Sequence, residues 1–289
     1  MPSRRGFLAT AGAGLLAADL PAAEAPLTVG QVIERIQKNL GVPWRTPTVD
    51  TLKAGGPDTP VLGIATTMMA TFDVVQRAAK AGRNFVITHE PTFYNHEDTT
   101  SAFADDPVYA AKRAFLETHR MAVLRFHDNW HARRPDGIRT GMLQILGWDR
   151  FRTDESSQLL VMPETTIAGL AGDARKRLQA RAIRVIGDPQ MKVRRVAINP
   201  GYADLRGVMR TLARPDVDVL VVGETREWEG VPYAQDAIAA GMAKGLIVLG
   251  HVISEENGMN ECARWLKTFI TEMPVEFIPA GEPFWTPQA

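Results

Sequence analysis

Residues 84–91 read Asn-Phe-Val-Ile-Thr-His-Glu-Pro, and this stretch indicates the fold class of the chain. Its apolar run at 85–87 predicts a short buried strand that ends before Pro91. A buried parallel strand carries the residues at its carboxyl end to the rim of the sheet, where α/β proteins bind ligands. An imidazole and a carboxylate, His89 and Glu90, are therefore predicted at such a rim. Taken alone, the pair also fits a hydrogen-bonded histidine beside a solvent-facing carboxylate.

The segments around this stretch predict βαβ units and hence a parallel sheet. A strand at 61–65 and a helix at 71–82 precede it, and a helix at 107–118 and a strand at 121–126 follow it. Thr28 begins an earlier helix that ends at Gly41, and residues 43–60 form a connection without a pattern of its own. A helix at 136–146 is followed by a polar stretch. Beyond it, strands are predicted at 159–162, 183–186, 193–198, 217–222, 246–249 and 275–278, and helices at 166–180, 202–212, 231–242 and 254–270.

These elements predict an α/β protein with two sheet-containing lobes and largely parallel strands. We place one lobe, which would hold a metal, at residues 27–150 and 245–289, and the second lobe at residues 151–244. The chain has 289 residues and 45% hydrophobic residues, enough to bury one or two cores.

Charge and cysteine content narrow the functional classes. The formal net charge is zero, and no basic stripe is present, which argues against a nucleic-acid partner. Cys262 is the only cysteine, so the sequence excludes an intrachain disulfide and a thiolate zinc site. Any metal would be held by imidazole and oxygen, which favours zinc, iron, manganese or nickel over copper(I).

The amino terminus is typical of a twin-arginine export signal. Arg4 and Arg5 precede a short, weakly hydrophobic run rich in alanine and glycine, and small residues up to Ala25 offer a cleavage zone. We therefore predict a signal peptide at residues 1–25 and a periplasmic mature protein without stable membrane insertion. The alternative is a cytoplasmic protein with a basic start.

Three predicted strands end in residues that can bind a metal. His89 and Glu90 follow the first, His127, Asp128 and His131 follow the second, and His251 with Glu255 follows the third. His251 and Glu255 are four positions apart and share one face if the last helix begins near His251. If the three strands end at one edge of a parallel sheet, these groups converge, and carboxylates could bridge two ions about 3.5–4 Å apart.

Each of these groups also has a purely structural explanation. His127 could be a buried, hydrogen-bonded histidine, and His251 could bond the turn at Gly250. Glu255 could complement the dipole of the first helical turn. The other two histidines, His96 and His119, are predicted to be surface or loop residues.

Two further features carry weaker signals. Residues 199–201, Asn-Pro-Gly, precede a helix and could cradle a phosphate, although a strand-to-helix turn is the commoner explanation. Glu224 follows a predicted strand and faces the predicted cleft, but the neighbouring Glu227 and Glu229 fit a polar loop.

The three strand-end segments resemble motifs of the Nif-three-like family (NGG-interacting factor, dinuclear metal-centre proteins), whose bacterial members are often called GTP cyclohydrolase type 2 homologues. Residues 87–91, Ile-Thr-His-Glu-Pro, are similar to the family's Ile-Thr-His-His-Pro, and residues 127–131, His-Asp-Asn-Trp-His, to its His-Thr-Asn-x-Asp. Residues 250–255, Gly-His-Val-Ile-Ser-Glu, resemble its Gly-His-x-x-Ser/Thr-Glu, the most specific of the three. The resemblance extends over about residues 29–284.

This resemblance implies paired α/β lobes, a toroidal homohexamer, and two divalent ions held by five residues. The implied ligands are His89, Glu90, His131, His251 and Glu255. Two of them depart from the family pattern, because Glu90 replaces a histidine and His131 replaces an aspartate. The exchange is reciprocal, so three imidazoles and two carboxylates remain.

Three hypotheses follow from the exchange. Both metals are retained with one carboxylate relocated, or Asp128 supplies the missing carboxylate, or a single metal binds. We expect a metal-dependent hydrolase acting on a small molecule, with a metal-bound water as the attacking group and Glu224 and His127 as outer residues that support the ligands. The alternative is a non-catalytic metal-binding or regulatory hexamer. Export would separate the protein from cytoplasmic nucleotides, which argues against GTP as the substrate.

Overall fold

The structure is a computed structural model, and it describes residues 26–154, 158–285 and 287. The predicted signal peptide at residues 1–25 lies outside the described residues.

Helices and strands alternate along most of the described chain. The helices are α1 (Val29–Asn39), α2 (Phe72–Lys80), α3 (Pro107–Thr118), α4 (Asp128–Ala132), α5 (Gly137–Leu146), α6 (Ile167–Leu178), α7 (Leu205–Leu212), α8 (Gly230–Ala239) and α9 (His251–Leu266). The strands are β1 (Leu52–Ala54), β2 (Ile64–Thr67), β3 (Phe85–Thr88), β4 (Ala122–Arg125), β5 (Leu159–Thr166), β6 (Arg184–Ile186), β7 (Lys192–Tyr202), β8 (Val219–Glu224), β9 (Gly245–Val248) and β10 (Val275–Phe277).

The strands form two five-stranded sheets, which confirms the predicted α/β class. The first sheet has the order β1-β4-β3-β2-β10, and the second has the order β5-β7-β8-β9-β6. Every pair in the first sheet is parallel except β1 with β4, and in the second sheet the outer strands β5 and β6 pair antiparallel with their neighbours. Strands β2, β3, β4 and β9 are buried along their whole length, which explains the apolar runs in β3, β4 and β9.

Helix α9 connects the two sheets. Met259, Cys262 and Leu266 pack into the core of the first sheet, whereas Ile253 packs into that of the second. Glycines let α5 approach α9 closely, because a Cβ on Gly141 would collide with the backbone of α9. The first turn of α9 is thereby held between the two sheets.

Two features differ from the sequence-based expectations. Strand β1 lies within residues 43–60, where no element was predicted, and pairs with β4. A strand of three residues is too short to show a hydrophobic period. Strand β9 lies in the second sheet, although the predicted lobe boundary at residue 245 would group it with the first. The lobe boundaries themselves stay a prediction.

Within residues 26–154 and 158–285, no helix combines the length and the apolar character that crossing a bilayer requires.

Candidate metal centre

The carboxyl ends of strands from both sheets meet at one cluster of imidazoles and carboxylates. In the first sheet, β3 leads into His89 and Glu90, and β4 leads into His127. In the second sheet, β9 leads into α9, which begins at His251. The predicted convergence therefore occurs, but at the junction of two sheets rather than along one sheet edge, because β9 belongs to the second sheet.

The ligand atoms of the cluster lie close together. The Nε2 atom of His251 is 3.0 Å from Glu255 Oε2 and 3.3 Å from Glu90 Oε1. Glu255 Oε2 is also 3.6 Å from His89 Nε2, and Glu255 Oε1 is 4.0 Å from His131 Nε2. Helix α9 begins at His251, so the spacing of four positions brings His251 and Glu255 onto one face.

Two overlapping groups in the described chain have ligand atoms within 4.8 Å of one another. One comprises His89, Glu90 and Glu255, and the other comprises His89, His127 and His131. His89 belongs to both groups. Each group offers the donors that could hold a metal ion.

Each imidazole of the cluster is oriented by an acceptor on its Nδ1 side. His131 Nδ1 lies 3.1 Å from Asp136 Oδ2, and His251 Nδ1 lies 3.0 Å from Glu224 Oε1. His127 has the same arrangement with Asp128 Oδ1 at 2.9 Å, and His89 has it with the carbonyl oxygen of Phe126 at 3.3 Å. An acceptor at Nδ1 fixes the tautomer that presents Nε2 as a lone-pair donor, the usual arrangement around metal-binding histidines.

The electrostatics of the cluster favour a cation. Burial lowers the pKa of His251, but its hydrogen bonds to Glu224, Glu255 and Glu90 outweigh burial and raise this pKa to about 12. Burial raises the pKa of Glu90, but the hydrogen bond and charge of His251, with the charges of His127 and Arg125, lower it to about 2. The carboxylates therefore hold a proton on His251 that a divalent ion would displace.

The pKa of His89 is shifted in the opposite direction from that of His251. Its side chain is fully buried, and desolvation, together with the charges of His127 and His131, lowers its pKa well below the usual value. The imidazole is neutral at physiological pH and is ready to bind a metal without releasing a proton.

Arg125 holds Glu90 from the side opposite the cluster. Its guanidinium is fully buried, and its Nη2 atom is 3.2 Å from Glu90 Oε2. The same group donates hydrogen bonds to the carbonyl oxygens of His89 and His96 and lies 3.9 Å from Asp98. Arg125 thus fixes one carboxylate oxygen of Glu90 and leaves the other directed at the cluster.

Asp50 positions the segment that carries His127. Its Oδ1 atom accepts hydrogen bonds from the backbone amides of His127 and Asp128, at 2.7 and 3.0 Å. Its Oδ2 atom accepts from the amide and the side chain of Asn129, at 2.8 and 2.7 Å. This carboxylate satisfies the free amides at the start of α4 and holds His127 and His131 toward the cluster.

The donor set fits a metal site. His89 Nε2 is buried and has no hydrogen-bond partner, which is costly unless the atom binds something. A Cβ on Gly201, which has a φ of +71°, would collide with Glu255 and lie 3.3 Å from His251 Nε2, so only glycine permits this approach. Imidazoles and carboxylates with fixed outer contacts are the donors that divalent transition metals require.

A cavity of about 580 Å³ opens beside the cluster. His251 and Glu224 line it on the side of the metal centre, and Met69, Val252 and Phe284 contribute apolar walls. His251 retains 20% of its side-chain exposure and His131 retains 28%, so both imidazoles are accessible from solvent.

Residues 28–283 match the family described as Duf34/NIF3 (NGG1p interacting factor 3). The chain belongs to the NIF3 family. This confirms the resemblance found in the sequence motifs. The NIF3-family chain has no match among functionally curated proteins.

Solved structures share the NIF3 fold at low sequence identity. A Bacillus cereus protein related to NIF3 has a TM-score of 0.75 at 13% identity, covering 91% of this chain and 100% of its own. Protein SA1388 of Staphylococcus aureus has a TM-score of 0.69 at 18% identity, covering 90% of this chain and 99% of its own. Reduced HcgD of Methanocaldococcus jannaschii has a TM-score of 0.64 at 14% identity, covering 86% of this chain and 97% of its own.

The NIF3-family chain brings all five predicted ligands together: His89, Glu90, His131, His251 and Glu255. The Asp128 carboxylate lies behind His127, where it also accepts a hydrogen bond from Thr48. Glu224 contacts the Nδ1 atom of His251, which is the position of an outer residue that orients a ligand. His96 and His119 are exposed, as predicted.

The motif at residues 199–201 approaches the metal centre through Gly201, and the amide of Gly201 donates a hydrogen bond to Ser254 Oγ at 2.9 Å.

Sequence reasoning missed the roles of Arg125, Asp50 and Asp136 at this site. An arginine within an otherwise apolar buried strand was a usable signal for the first, because a buried charge requires a partner.

Proposed function

We propose that the protein is a metal-dependent hydrolase whose centre holds two divalent ions between the carboxyl ends of β3, β4 and β9. The residues that would hold them include the predicted set His89, Glu90, His131, His251 and Glu255. The observation that carries this proposal is the convergence of imidazole Nε2 atoms and carboxylates beside an open cavity. A pair of divalent ions would supply a water of lowered pKa and would polarise the bond under attack.

The side chains around the centre have separate tasks. Glu224 and Asp136 orient His251 and His131 through their Nδ1 atoms, and Arg125 anchors Glu90. His89 and Glu255 are shielded from solvent, whereas His131 and His251 face it. A substrate would therefore approach from the side of His251, with its apolar part against the walls of the cavity.

Metal analysis of the purified protein tests the first half of the proposal. Two equivalents of divalent metal are expected in the native protein and fewer in Glu90→Ala. His119→Ala serves as a control because that side chain is exposed and lies outside the ligand groups. Free metal at 100 times its dissociation constant would stabilise the fold by about 2.7 kcal/mol, so a chelator is expected to lower the melting temperature. A single equivalent in the native protein would refute the two-ion centre.

A substrate screen tests the second half. The metal-loaded protein is assayed against phosphoesters, amides and cyclic nucleotides, with the chelated protein as control. Turnover that depends on metal and is lost in Glu255→Gln supports a hydrolase. Bound but labile metal, without turnover on any class, would instead support the alternative, a metal-binding or regulatory hexamer that does not catalyse.

We further propose that the mature chain acts on a small molecule, is exported, and assembles as a homohexamer, without a nucleic-acid partner. The twin arginines, the zero net charge and the family resemblance support these points. Cell fractionation and light scattering are the corresponding measurements. A cytoplasmic location or a monomeric mass would contradict them.

A further inference from the structure

Three imidazoles meet on one side of the metal centre. The ring of His89 lies 4.5 Å from that of His127 and 4.9 Å from that of His131, measured between centroids, and His127 lies 5.0 Å from His131. The ligand atoms of the three residues lie within 4.8 Å of one another. Three nitrogen donors are therefore available on this side, and the nearest oxygens of Glu90 and Glu255 lie 3.6 to 4.0 Å from them.

His127 has the outer contacts of a ligand. Asp128 lies 2.9 Å from its Nδ1 atom, and Asp50 holds its backbone amide at 2.7 Å. Its Nε2 atom is 3.7 Å from Glu90 Oε1, and its side chain retains only 21% of its exposure. The ring is thus fixed in orientation, with its second nitrogen directed into the cluster.

The carboxylates lie closer to His251 than to the three imidazoles. Arg125 binds one oxygen of Glu90, and the other oxygen lies 3.3 Å from His251 Nε2. Glu255 Oε2 lies 3.0 Å from the same nitrogen. Glu90, His251 and Glu255 therefore form an oxygen-rich group, next to the group of three imidazoles.

We propose that His89, His127 and His131 form a three-imidazole subsite that prefers zinc or cobalt(II) to magnesium or manganese, with His127 as a direct ligand. This inference rests on the proposed metal centre and assigns His127 a role beyond that of an outer residue. Three histidines with a fourth position open are one of the established ligand sets of catalytic zinc. Imidazole suits zinc and its neighbours, whereas magnesium and manganese favour oxygen donors.

Titration of the metal-free full-length protein with cobalt(II) and zinc, against a competing chelator, tests the subsite without an activity assay. We expect cobalt(II) to produce the visible absorption of a low-coordinate nitrogen site, and zinc to remove that absorption. Magnesium and manganese in excess are expected to leave it unchanged. Absorption that magnesium or manganese abolishes would overturn the proposed preference.

Variants identify the ligand. His127→Ala and His127→Gln are expected to lose the cobalt spectrum and to weaken zinc binding by more than about 100-fold, the upper end for outer contacts. His96→Ala is the matched control, because His96 is exposed and its ring is 6.2 Å from that of His127 but outside the ligand group. Thermal melting of each variant establishes that it is folded.

Asp128→Asn tests the same ring without removing it. Loss of the negative charge on the acceptor at Nδ1 is expected to weaken zinc binding by about 10- to 100-fold. This variant tests the role of His127 if the His127 variants do not fold. Unchanged zinc affinity and an unchanged cobalt spectrum in these variants would refute the role of His127 and leave the wider metal centre intact. A native protein that binds no divalent ion would refute both proposals.

Discussion

The replacement of Arg125 by methionine is expected to destabilise the metal-free protein strongly. The guanidinium is fully buried and lies 3.2 Å from Glu90 and 3.9 Å from Asp98. Methionine has a comparable length and removes the charge and its hydrogen bonds. Glu90 would then remain as a largely buried carboxylate that has lost the guanidinium and keeps His251 as a cationic neighbour.

The magnitude follows from these contacts. Removing one partner of a buried ion pair costs about 3–5 kcal/mol, because an uncompensated charge is left behind. The pKa of Glu90 falls from 4.5 to about 2, which corresponds to roughly 3 kcal/mol of net stabilisation of the ionised form. His251 supplies the largest part of this stabilisation and Arg125 a smaller part. Asp98 keeps its hydrogen bond from the amide of Phe93 at 2.6 Å. We therefore expect a loss of about 3–5 kcal/mol for Arg125→Met.

Urea unfolding at neutral pH with a chelator present measures this loss. The double variant Arg125→Met/Glu90→Gln is expected to recover part of it, because a neutral amide replaces the buried carboxylate that lost the guanidinium. Arg113→Met is the control: its side chain is 61% exposed and pairs with Glu117 on the surface of α3, so no measurable change is expected. A loss below about 1 kcal/mol in Arg125→Met would refute the view that this guanidinium organises Glu90.

Three further predictions concern the metal centre and a buried lysine. Gly201→Ala is expected to weaken metal binding, because its Cβ would collide with Glu255. Gly241 has a similar φ of +85° and open space around it, so Gly241→Ala is expected to bind metal normally. Equal metal affinities of the two variants by calorimetry would contradict the steric argument. Glu224→Gln weakens the hydrogen-bond acceptor of His251 Nδ1 and is expected to lower metal affinity by about 10- to 100-fold. Glu227 lies outside the cluster, so Glu227→Gln is expected to leave metal affinity unchanged. Burial lowers the pKa of Lys112 from 10.5 to about 8 against the opposing charge of Asp98, so the unfolded chain binds more protons between these values. The free energy of unfolding of the wild type, relative to Lys112→Met, should therefore rise from about pH 8 toward pH 10, and a flat difference in urea unfolding would exclude this coupling.

Most of the regular structure was predictable from the sequence because its causes are local. Burial on both faces makes strands such as β3 and β9 continuously apolar, and Thr28, Thr71 and Asp136 cap the helices that follow them. The residues of the candidate metal centre were predictable for the same reason. Each follows a strand end, and the pair His251 and Glu255 has helical spacing.

Only the tertiary structure decided how these local elements combine. Strand β9 joins the second sheet, so the centre is built at the junction of two sheets, and no spacing along the chain encodes that choice of neighbour. Arg125 and Glu90 are 35 positions apart, and the amide of His127 finds Asp50 at a separation of 77. Burial periodicity shows that a residue is inside the protein, but the partner of a buried charge depends on which segments the packing of the two cores brings together.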